Sequence, residues 1–188
     1  IDDIEFLHVT SNETINGIQL REFNKINHDS LIIDMSSDIG SYSFEWDNLA
    51  YIYAGAQKNM GIPGVSICIG DEQYLNTENN SKYLNLGQLV EKNSLLNTPP
   101  TFSIYILKLV TDWMIQMGGV KYFEEKSIRQ SSRLYEQLNS YKDFLLLPVC
   151  DYSKSRSNII FKFENNELEK KFLMEAGEKG IIGLNGHR

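Results

Sequence analysis

Asp34 and Lys58 are the two residues of this sequence whose types and spacing point to covalent chemistry. Asp34 interrupts the apolar run Leu31–Met35, and such a run is typical of a strand buried on both faces. Lys58 lies in a glycine-flanked loop directly after the next apolar segment. Because ligands bind beyond the carboxyl ends of parallel strands in open α/β sheets, we expect both side chains at one crevice. A carboxylate that keeps a heterocyclic nitrogen protonated and a lysine that forms an imine with an aldehyde are the groups that pyridoxal phosphate requires of a protein.

Both residues also have ordinary explanations. A lysine in a loop usually carries a solvated charge, and an aspartate at a strand end usually forms a turn or a cap. A buried carboxylate is costly without a cationic partner, which a protonated ring nitrogen would provide. The pair by itself is therefore weak support for a cofactor site.

Short apolar strands are predicted around these two residues. Tyr51–Ala54 and Val65–Ile69 are joined by the connection 55–64, which is too short for a parallel crossover, so we expect them to run antiparallel. His8–Thr10 is predicted as a further, weaker strand. The asparagine-rich stretch 79–97 is predicted as a long loop with some local helix.

Two long helices are predicted after this loop. The apolar segment Phe102–Met117 has prolines in its first turn and Gly118 directly after it, the usual asymmetry of helix ends. Its apolar residues surround the helix axis, so we expect burial against the sheet and against a second subunit, although a small lobe of the same chain could cover it instead. A second, amphipathic helix is predicted over 120–139, with Val120 and Leu134 on its apolar side.

A smaller lobe is predicted after the second helix. Its expected elements are the strands 144–149, 159–163 and 181–184 and the helix 167–179. We therefore divide the chain into a large domain, residues 1–139, and part of a small domain, residues 140–188.

Composition excludes several classes of function. Eighteen Lys and Arg residues against 25 Asp and Glu residues give a net charge of −7, which disfavours a nucleic-acid binder. The sequence has no long apolar run for a membrane span and no basic leader, so we expect neither a membrane protein nor a signal peptide. Cys68 and Cys150 lack the density of a disulfide framework and the spacing of a metal site, so we expect no metal and a cytoplasmic location.

Several separated motifs resemble the phosphoserine aminotransferase family, in order and at the family's approximate spacing. These motifs are Ser11–Thr14, Leu31–Ser37, Ala54–Asn59, Ser94–Phe102 and Gly183–Arg188. The resemblance covers essentially the whole chain and corresponds to the middle and C-terminal half of a longer family member. It implies the α/β, aspartate-aminotransferase-like fold of type I pyridoxal-phosphate enzymes, with a mixed-sheet large domain and a small α+β domain. It also implies a homodimer with shared active sites.

The resemblance assigns roles to the residues around Lys58. Lys58 matches the lysine that forms the imine with pyridoxal phosphate, and Asp34 matches the partner of the pyridine nitrogen. Thr14 matches a hydroxyl near the phenolic oxygen of the ring, and Gln57 matches a ligand of the cofactor phosphate.

The remaining matches concern the neighbouring subunit and the substrate. Asn97 and Thr98 match residues that reach the cofactor phosphate of the other subunit, which suits an expected place at a helix N-terminus. Thr98 is also expected as a simple helix cap. His187 and Arg188 match residues that recognise the phosphorylated substrate.

The activity implied is amino transfer between glutamate and 3-phosphohydroxypyruvate, giving phosphoserine and 2-oxoglutarate in serine biosynthesis. One alternative is a catalytically incomplete fragment that serves as a dimerisation or binding module. Another is a related pyridoxal-phosphate enzyme with a different substrate, although Gly186–Arg188 favours a phosphorylated one. His8 and His28 are expected to be a strand residue and a loop residue, and Arg156 a structural residue.

Overall fold

The computed structural model describes residues 5–75 and 85–185, which form two compact units. Unit 1 comprises residues 1–11 and 20–124, and unit 2 comprises residues 12–19 and 125–188. The domain boundary predicted after residue 139 coincides with the end of a helix, whereas the two units divide inside that helix. The assignment of domains stays a prediction.

The strands are short and lie mostly in the first part of the chain. They are β1 (Leu7–Thr10), β2 (Asn12–Glu13), β3 (Ile18–Gln19), β4 (Leu31–Asp34), β5 (Leu49–Gly55), β6 (Ser66–Gly70), β7 (Leu145–Leu146) and β8 (Lys162–Phe163). The helices are α1 (Glu72–Leu75), α2 (Leu86–Glu91), α3 (Thr101–Gln116), α4 (Gly119–Asn139) and α5 (Asn166–Glu178), with 3-10 turns at Phe23–Lys25 and Asp151–Ser153.

Unit 1 is built on a mixed four-stranded sheet in the order β1-β4-β5-β6. β1 and β5 both pair parallel to β4, and β6 pairs antiparallel to β5, as predicted from the short connection between them. Thr10, Asp34 and Tyr53 lie side by side in this register, at the carboxyl ends of the parallel strands.

One face of the sheet carries the core of unit 1. Leu31, Ile33, Ile52 and Ala54 alternate along β4 and β5 and are buried, and they belong to the same core as Phe23. The expectation that β4 is buried on both faces is wrong for the described residues, because Ile32 and Asp34 are only half-buried. The opposite face is therefore the accessible one, and Asp34 lies on it.

α3 follows the predicted span within one residue, and within one chain it is mostly exposed. Its contact with the rest of unit 1 includes Met114, which lies with Met60 beside Gly40. Met114 is the only buried residue of this helix, whereas Phe102 and Ile115 are 68% and 72% exposed. A single chain thus leaves most of this helix exposed, and its burial against a second subunit stays a prediction.

The neighbouring helices need smaller corrections. α4 confirms the helix predicted over 120–139, but Val120 and Leu134 on its apolar side are exposed. α2 is the local helix expected in the asparagine-rich stretch, of which residues 79–84 lie outside the described residues.

Unit 2 contains two small antiparallel pairs, β2 with β3 and β7 with β8. β7 and β8 are shorter than the strands predicted over 144–149 and 159–163, and α5 matches the predicted helix within one residue. The strand predicted over 181–184 is absent. Gly180 and Gly183, at φ +77° and +80°, bend the backbone away from an extended path there.

Gly17 lets the β2–β3 hairpin lie against residues 155–160 of unit 2. Its φ is +70°, and a Cβ atom on it would lie 2.6 Å from Ile160 Cγ1 and 2.9 Å from the carbonyl oxygen of Asn158. Ser155 N–H donates to the Gly17 carbonyl oxygen at 2.9 Å, so the hairpin backbone cannot move away without losing this bond. Only glycine satisfies both the conformation and the contact.

We predict that Gly17→Ala lowers the free energy of unfolding by about 2 to 4 kcal/mol, since positive-φ strain and overpacking combine. Gly180→Ala is the matched control, because Gly180 has a similar φ but no atom within 4 Å of a Cβ. It should cost only about 1 kcal/mol. Chemical denaturation measures both values, and equal losses would contradict the contact at Gly17.

Candidate active site

Asp34 is held at the carboxyl end of β4 by bonds to its side chain and to its carbonyl oxygen. Ser36 N–H donates to Asp34 Oδ1 at 2.9 Å, which is an Asx turn. Ser11 N–H donates to the Asp34 carbonyl oxygen at 3.0 Å, and the Ser11 hydroxyl oxygen lies 3.0 Å from the same carbonyl oxygen. The carboxylate is half-buried and has a defined direction.

Lys58 lies in the loop that joins β5 to β6. Ala56 N–H donates to the Val65 carbonyl oxygen at 2.9 Å and Met60 N–H donates to the Ala56 carbonyl oxygen at 3.0 Å, which closes the loop. Gln57 and Lys58 are exposed between these bonds. Within the described residues the Lys58 amine takes part in no hydrogen bond or ion pair, so it is available to a ligand.

The Asp34 and Lys58 loops are bound to each other. Gly55 N–H donates to Ser36 Oγ at 3.4 Å, and Asn59 Nδ2 donates to the Ile39 carbonyl oxygen at 3.1 Å. The far side of the Lys58 loop is fixed by Ser103 of α3, whose hydroxyl donates to the Pro63 carbonyl oxygen at 3.0 Å. The structure thus brings Asp34, Gln57 and Lys58 to one edge of the sheet.

Two aromatic side chains accompany Asp34 on its face of the sheet, and the sequence reasoning did not connect them to it. His8 of β1 is a strand residue as predicted, and its Nε2 lies 2.9 Å from the Tyr53 hydroxyl, with the two rings stacked. Burial raises the pKa of Tyr53, and the Asp34 carboxylate raises it further. Side chains alternate between the two faces of a strand, and this alternation places His8, Asp34 and Tyr53 on one face once the register of the strands is known.

Thr14 lies in the turn between β2 and β3 and belongs to unit 2. The turn is fixed by Glu13, whose carboxylate accepts from the N–H groups of Ile15 and Asn16 at 3.0 and 2.7 Å. These bonds lower the pKa of Glu13. Asp34 and Lys58 belong to unit 1, and the predicted role of Thr14 stays a prediction.

Asn97 and Thr98 are exposed and lie just before α3. The expectation that Thr98 caps the helix is wrong, because the N-cap residue is Pro100, with no side-chain cap bond. Both residues line a groove of about 320 Å³ together with Cys68 of β6 and Ile104 of α3. Neither Asp34 nor Lys58 lines this groove.

His187 and Arg188 lie outside the described residues, and their proposed contact with substrate stays a prediction. No helix in the described ranges combines the length and apolarity needed to cross a bilayer.

The comparison with known proteins decides the family. A family model for class-V aminotransferases matches residues 2–188. The chain belongs to the class-V aminotransferase family. This result confirms the family predicted from the separated motifs.

Class-V relatives of this chain carry the name phosphoserine aminotransferase. The one from Alkalihalobacillus alcalophilus is 41% identical over 185 residues, which are 97% of this chain and 51% of the relative. The one from Bacillus subtilis (strain 168) is 39% identical over 190 residues, which are 100% of this chain and 53% of the relative. The chain therefore spans about half the length of the curated relatives it matches.

Solved structures of class-V aminotransferases share the fold. Phosphoserine aminotransferase from Bacillus circulans subsp. alkalophilus is 37% identical with a TM-score of 0.92, covering 100% of this chain and 53% of that one. The PLP-bound enzyme from Trichomonas vaginalis is 27% identical with a TM-score of 0.85, covering 97% of this chain and 52% of that one. The predicted fold class is confirmed.

We predict that Tyr53 ionises at higher pH than free tyrosine, and that Asp34→Asn moves its ionisation back toward the ordinary value because a negative neighbour is lost. Spectrophotometric titration of the protein minus that of Tyr53→Phe isolates this residue. Tyr51 is the internal control, since its pKa is raised by burial and by Cys68 but not by Asp34. A Tyr53 ionisation unchanged by Asp34→Asn would contradict the placement of the carboxylate.

Proposed function

We propose that this protein is a phosphoserine aminotransferase, which uses pyridoxal phosphate to move the amino group of glutamate to 3-phosphohydroxypyruvate. The products are phosphoserine and 2-oxoglutarate, in serine biosynthesis. The observation that carries this proposal is the placement of Asp34 and Lys58 on two mutually bonded loops at the carboxyl edge of the sheet. The similarity of about 40% to named phosphoserine aminotransferases supports it.

The residues at this edge fit pyridoxal phosphate. A directed, half-buried carboxylate suits a protonated ring nitrogen, and an exposed lysine amine without an ion-pair partner among the described residues suits an aldehyde. Gln57, next to Lys58, offers an amide for the phosphate. When bound, the cofactor supplies an electron sink for the negative charge that develops at the substrate α-carbon.

Asp34 and Lys58 have separate tasks in this proposal. The Asp34 carboxylate keeps the ring nitrogen protonated by hydrogen bonding and by its charge. Lys58 would hold the cofactor covalently through its amine. The same amine, when free, would act as general base and accept the proton of the substrate α-carbon.

The remaining residues take the roles that the family resemblance implies. Thr14 supplies a hydroxyl to the phenolic oxygen of the ring. His187 and Arg188 recognise the substrate phosphate, for which the arginine fork is well suited. Asn97 and Thr98 of one chain bind the cofactor phosphate held by its partner.

We further propose a cytoplasmic homodimer in which residues 1–139 belong to the large domain and residues 140–188 to the small domain. The exposure of Phe102 and Ile115 on α3 supports a second subunit at this helix. The exposed position of Asn97 and Thr98 directly before α3 supports their contact with that subunit.

We predict that borohydride reduction of the purified protein in the presence of pyridoxal phosphate places a pyridoxyl group on Lys58. Peptide mapping identifies the modified lysine. Lys58→Ala should abolish both the adduct and phosphoserine formation from glutamate and 3-phosphohydroxypyruvate. Lys92→Ala is the control, since Lys92 is an exposed lysine at the end of α2 and its loss should change neither result.

The same experiment separates the alternatives. Adduct formation on a lysine other than Lys58 would remove the centre of the proposal. An adduct on Lys58 without amino transfer to any keto acid would favour the incomplete fragment acting as a binding module. Transfer to an unphosphorylated keto acid alone would point to a related enzyme with another substrate.

We also predict that two inactive variants restore activity when mixed. One carries Lys58→Ala, and the other carries Asn97→Ala with Thr98→Ala. If the sites are shared, a hybrid dimer collects all defects in one pocket and leaves the other intact, so the mixture should recover about a quarter of wild-type activity.

Subunit exchange is checked by native mass spectrometry of differently labelled chains. The matched control mixes the Lys58→Ala protein with an Asp34→Ala protein. Lys58 and Asp34 of one pocket come from the same chain, so each pocket of this hybrid dimer keeps one defect and activity should not return. Exchange without recovered activity in the first mixture would refute the contact of Asn97 and Thr98 with the partner.

A further inference from the structure

Asp38 is a buried carboxylate for which the proposed reaction has no use. It lies in the loop after β4 and is fully buried, with 0% exposure. A buried carboxylate is costly unless polar groups bind it. Ser11, also fully buried, donates its hydroxyl to Asp38 Oδ1 at 2.5 Å. Burial and the charge of Asp38 raise the pKa of the neighbouring Tyr42.

Ser11 connects Asp38 to Asp34. Its N–H and its hydroxyl both lie 3.0 Å from the carbonyl oxygen of Asp34. The hydroxyl carries one proton, and the Asp38 carboxylate is a stronger and nearer acceptor than the Asp34 carbonyl, so the hydroxyl donates to Asp38 and the Ser11 N–H binds the Asp34 carbonyl. Asp38 therefore holds the side chain of Ser11 in place, and the N–H of the same residue holds the carbonyl of Asp34.

The orientation of the Asp34 carbonyl controls the direction of its side chain. The peptide that follows Asp34 leads to Ser36, whose N–H binds Asp34 Oδ1 at 2.9 Å. A rotation of this peptide would displace the Ser36 N–H and release the carboxylate from its turn. Asp38 N–H donates to the Met35 carbonyl oxygen at 3.1 Å, so the same residue also closes the turn from its other end.

We propose that Asp38, acting through Ser11, is a positioning residue that aims the Asp34 carboxylate at the ring nitrogen of the cofactor. This inference rests on the proposed function, because it needs Asp34 to meet that nitrogen. Because Asp38 is fully buried, its role is to act through Ser11 and not by contact with cofactor or substrate. It contributes by holding the backbone of the first turn after β4 in place.

Variants at these two positions separate positioning from general stability. Asp38→Ala removes the acceptor of the Ser11 hydroxyl, whereas Asp38→Asn keeps an acceptor oxygen of nearly the same shape. Ser11→Ala removes the hydroxyl bond to Asp38 and keeps the N–H bond to the Asp34 carbonyl, so it releases Asp34 from Asp38 alone. The matched control is Asn48→Ala, because Asn48 Nδ2 binds the carbonyl oxygens of Phe23 and Ile26 at the amino end of β5, roughly 20 Å from its carboxyl end.

The experiment measures the Kd for pyridoxal phosphate, the kcat and KM for glutamate, and the midpoint of chemical denaturation. Asp38→Ala and Ser11→Ala should each raise the Kd and lower the kcat at least about fivefold, with the KM for glutamate nearly unchanged. Their combination should add little to either, since both break one connection. Asp38→Asn should restore most of the loss, and Asn48→Ala should lower only the denaturation midpoint.

A purely structural role makes a different prediction. If Asp38→Ala and Ser11→Ala shift only the denaturation midpoint, as Asn48→Ala does, the positioning role is refuted. If Asp38→Ala does not fold, the Kd, the kcat and the denaturation midpoint of Ser11→Ala decide between the two roles. If borohydride places no pyridoxyl group on Lys58 of the wild-type protein, the proposed function fails and the positioning role fails with it.

Discussion

The parallel pairing of β4 with β5 is the constraint on which the candidate site depends. Parallel neighbours end at the same edge of a sheet, so the loops after the two strands must lie together. The Met35 N–H continues the ladder past the end of β4 by donating to the Tyr53 carbonyl oxygen at 2.8 Å. Ser36 and Asn59 then bind one loop to the other, and the positions of Asp34 and Lys58 follow from this backbone geometry.

A second constraint is the alternation of side chains along the strands. Leu31, Ile33 and Ile52 occupy the core face, which commits the intervening positions to the accessible face. Asp34 and Tyr53 hold two of those positions. A shift of β4 by one residue would bury the Asp34 carboxylate and expose apolar side chains, so the burial that stabilises unit 1 also selects the register that exposes Asp34.

The sequence predicted the elements that carry the site because their local patterns are strong. The apolar run at Leu31–Met35 and the antiparallel arrangement of β5 and β6 follow from composition and connection length alone. Unit 2 was predicted less well, since β7 and β8 pair over only two residues each and depend on contacts distant in sequence. The contact of Gly17 with Ile160 and that of Ser11 with Asp38 join residues far apart in the chain, and no local pattern reveals them.

Two observations on α3 have one explanation under the proposed dimer. α3 is rich in apolar residues, yet side chains such as Phe102 and Ile115 are exposed in the single chain. Burying each of them at a subunit interface would stabilise the dimer by about 1.5 to 3 kcal/mol. Asn97 and Thr98, immediately before this helix, have polar side chains that bind nothing among the described residues of their own chain. A two-fold axis beside α3 would cover the apolar surface and carry both polar side chains to the partner in the same step. The hydrophobic surface that drives association would then also complete the phosphate-binding part of the neighbouring site, so that assembly and activity would be inseparable.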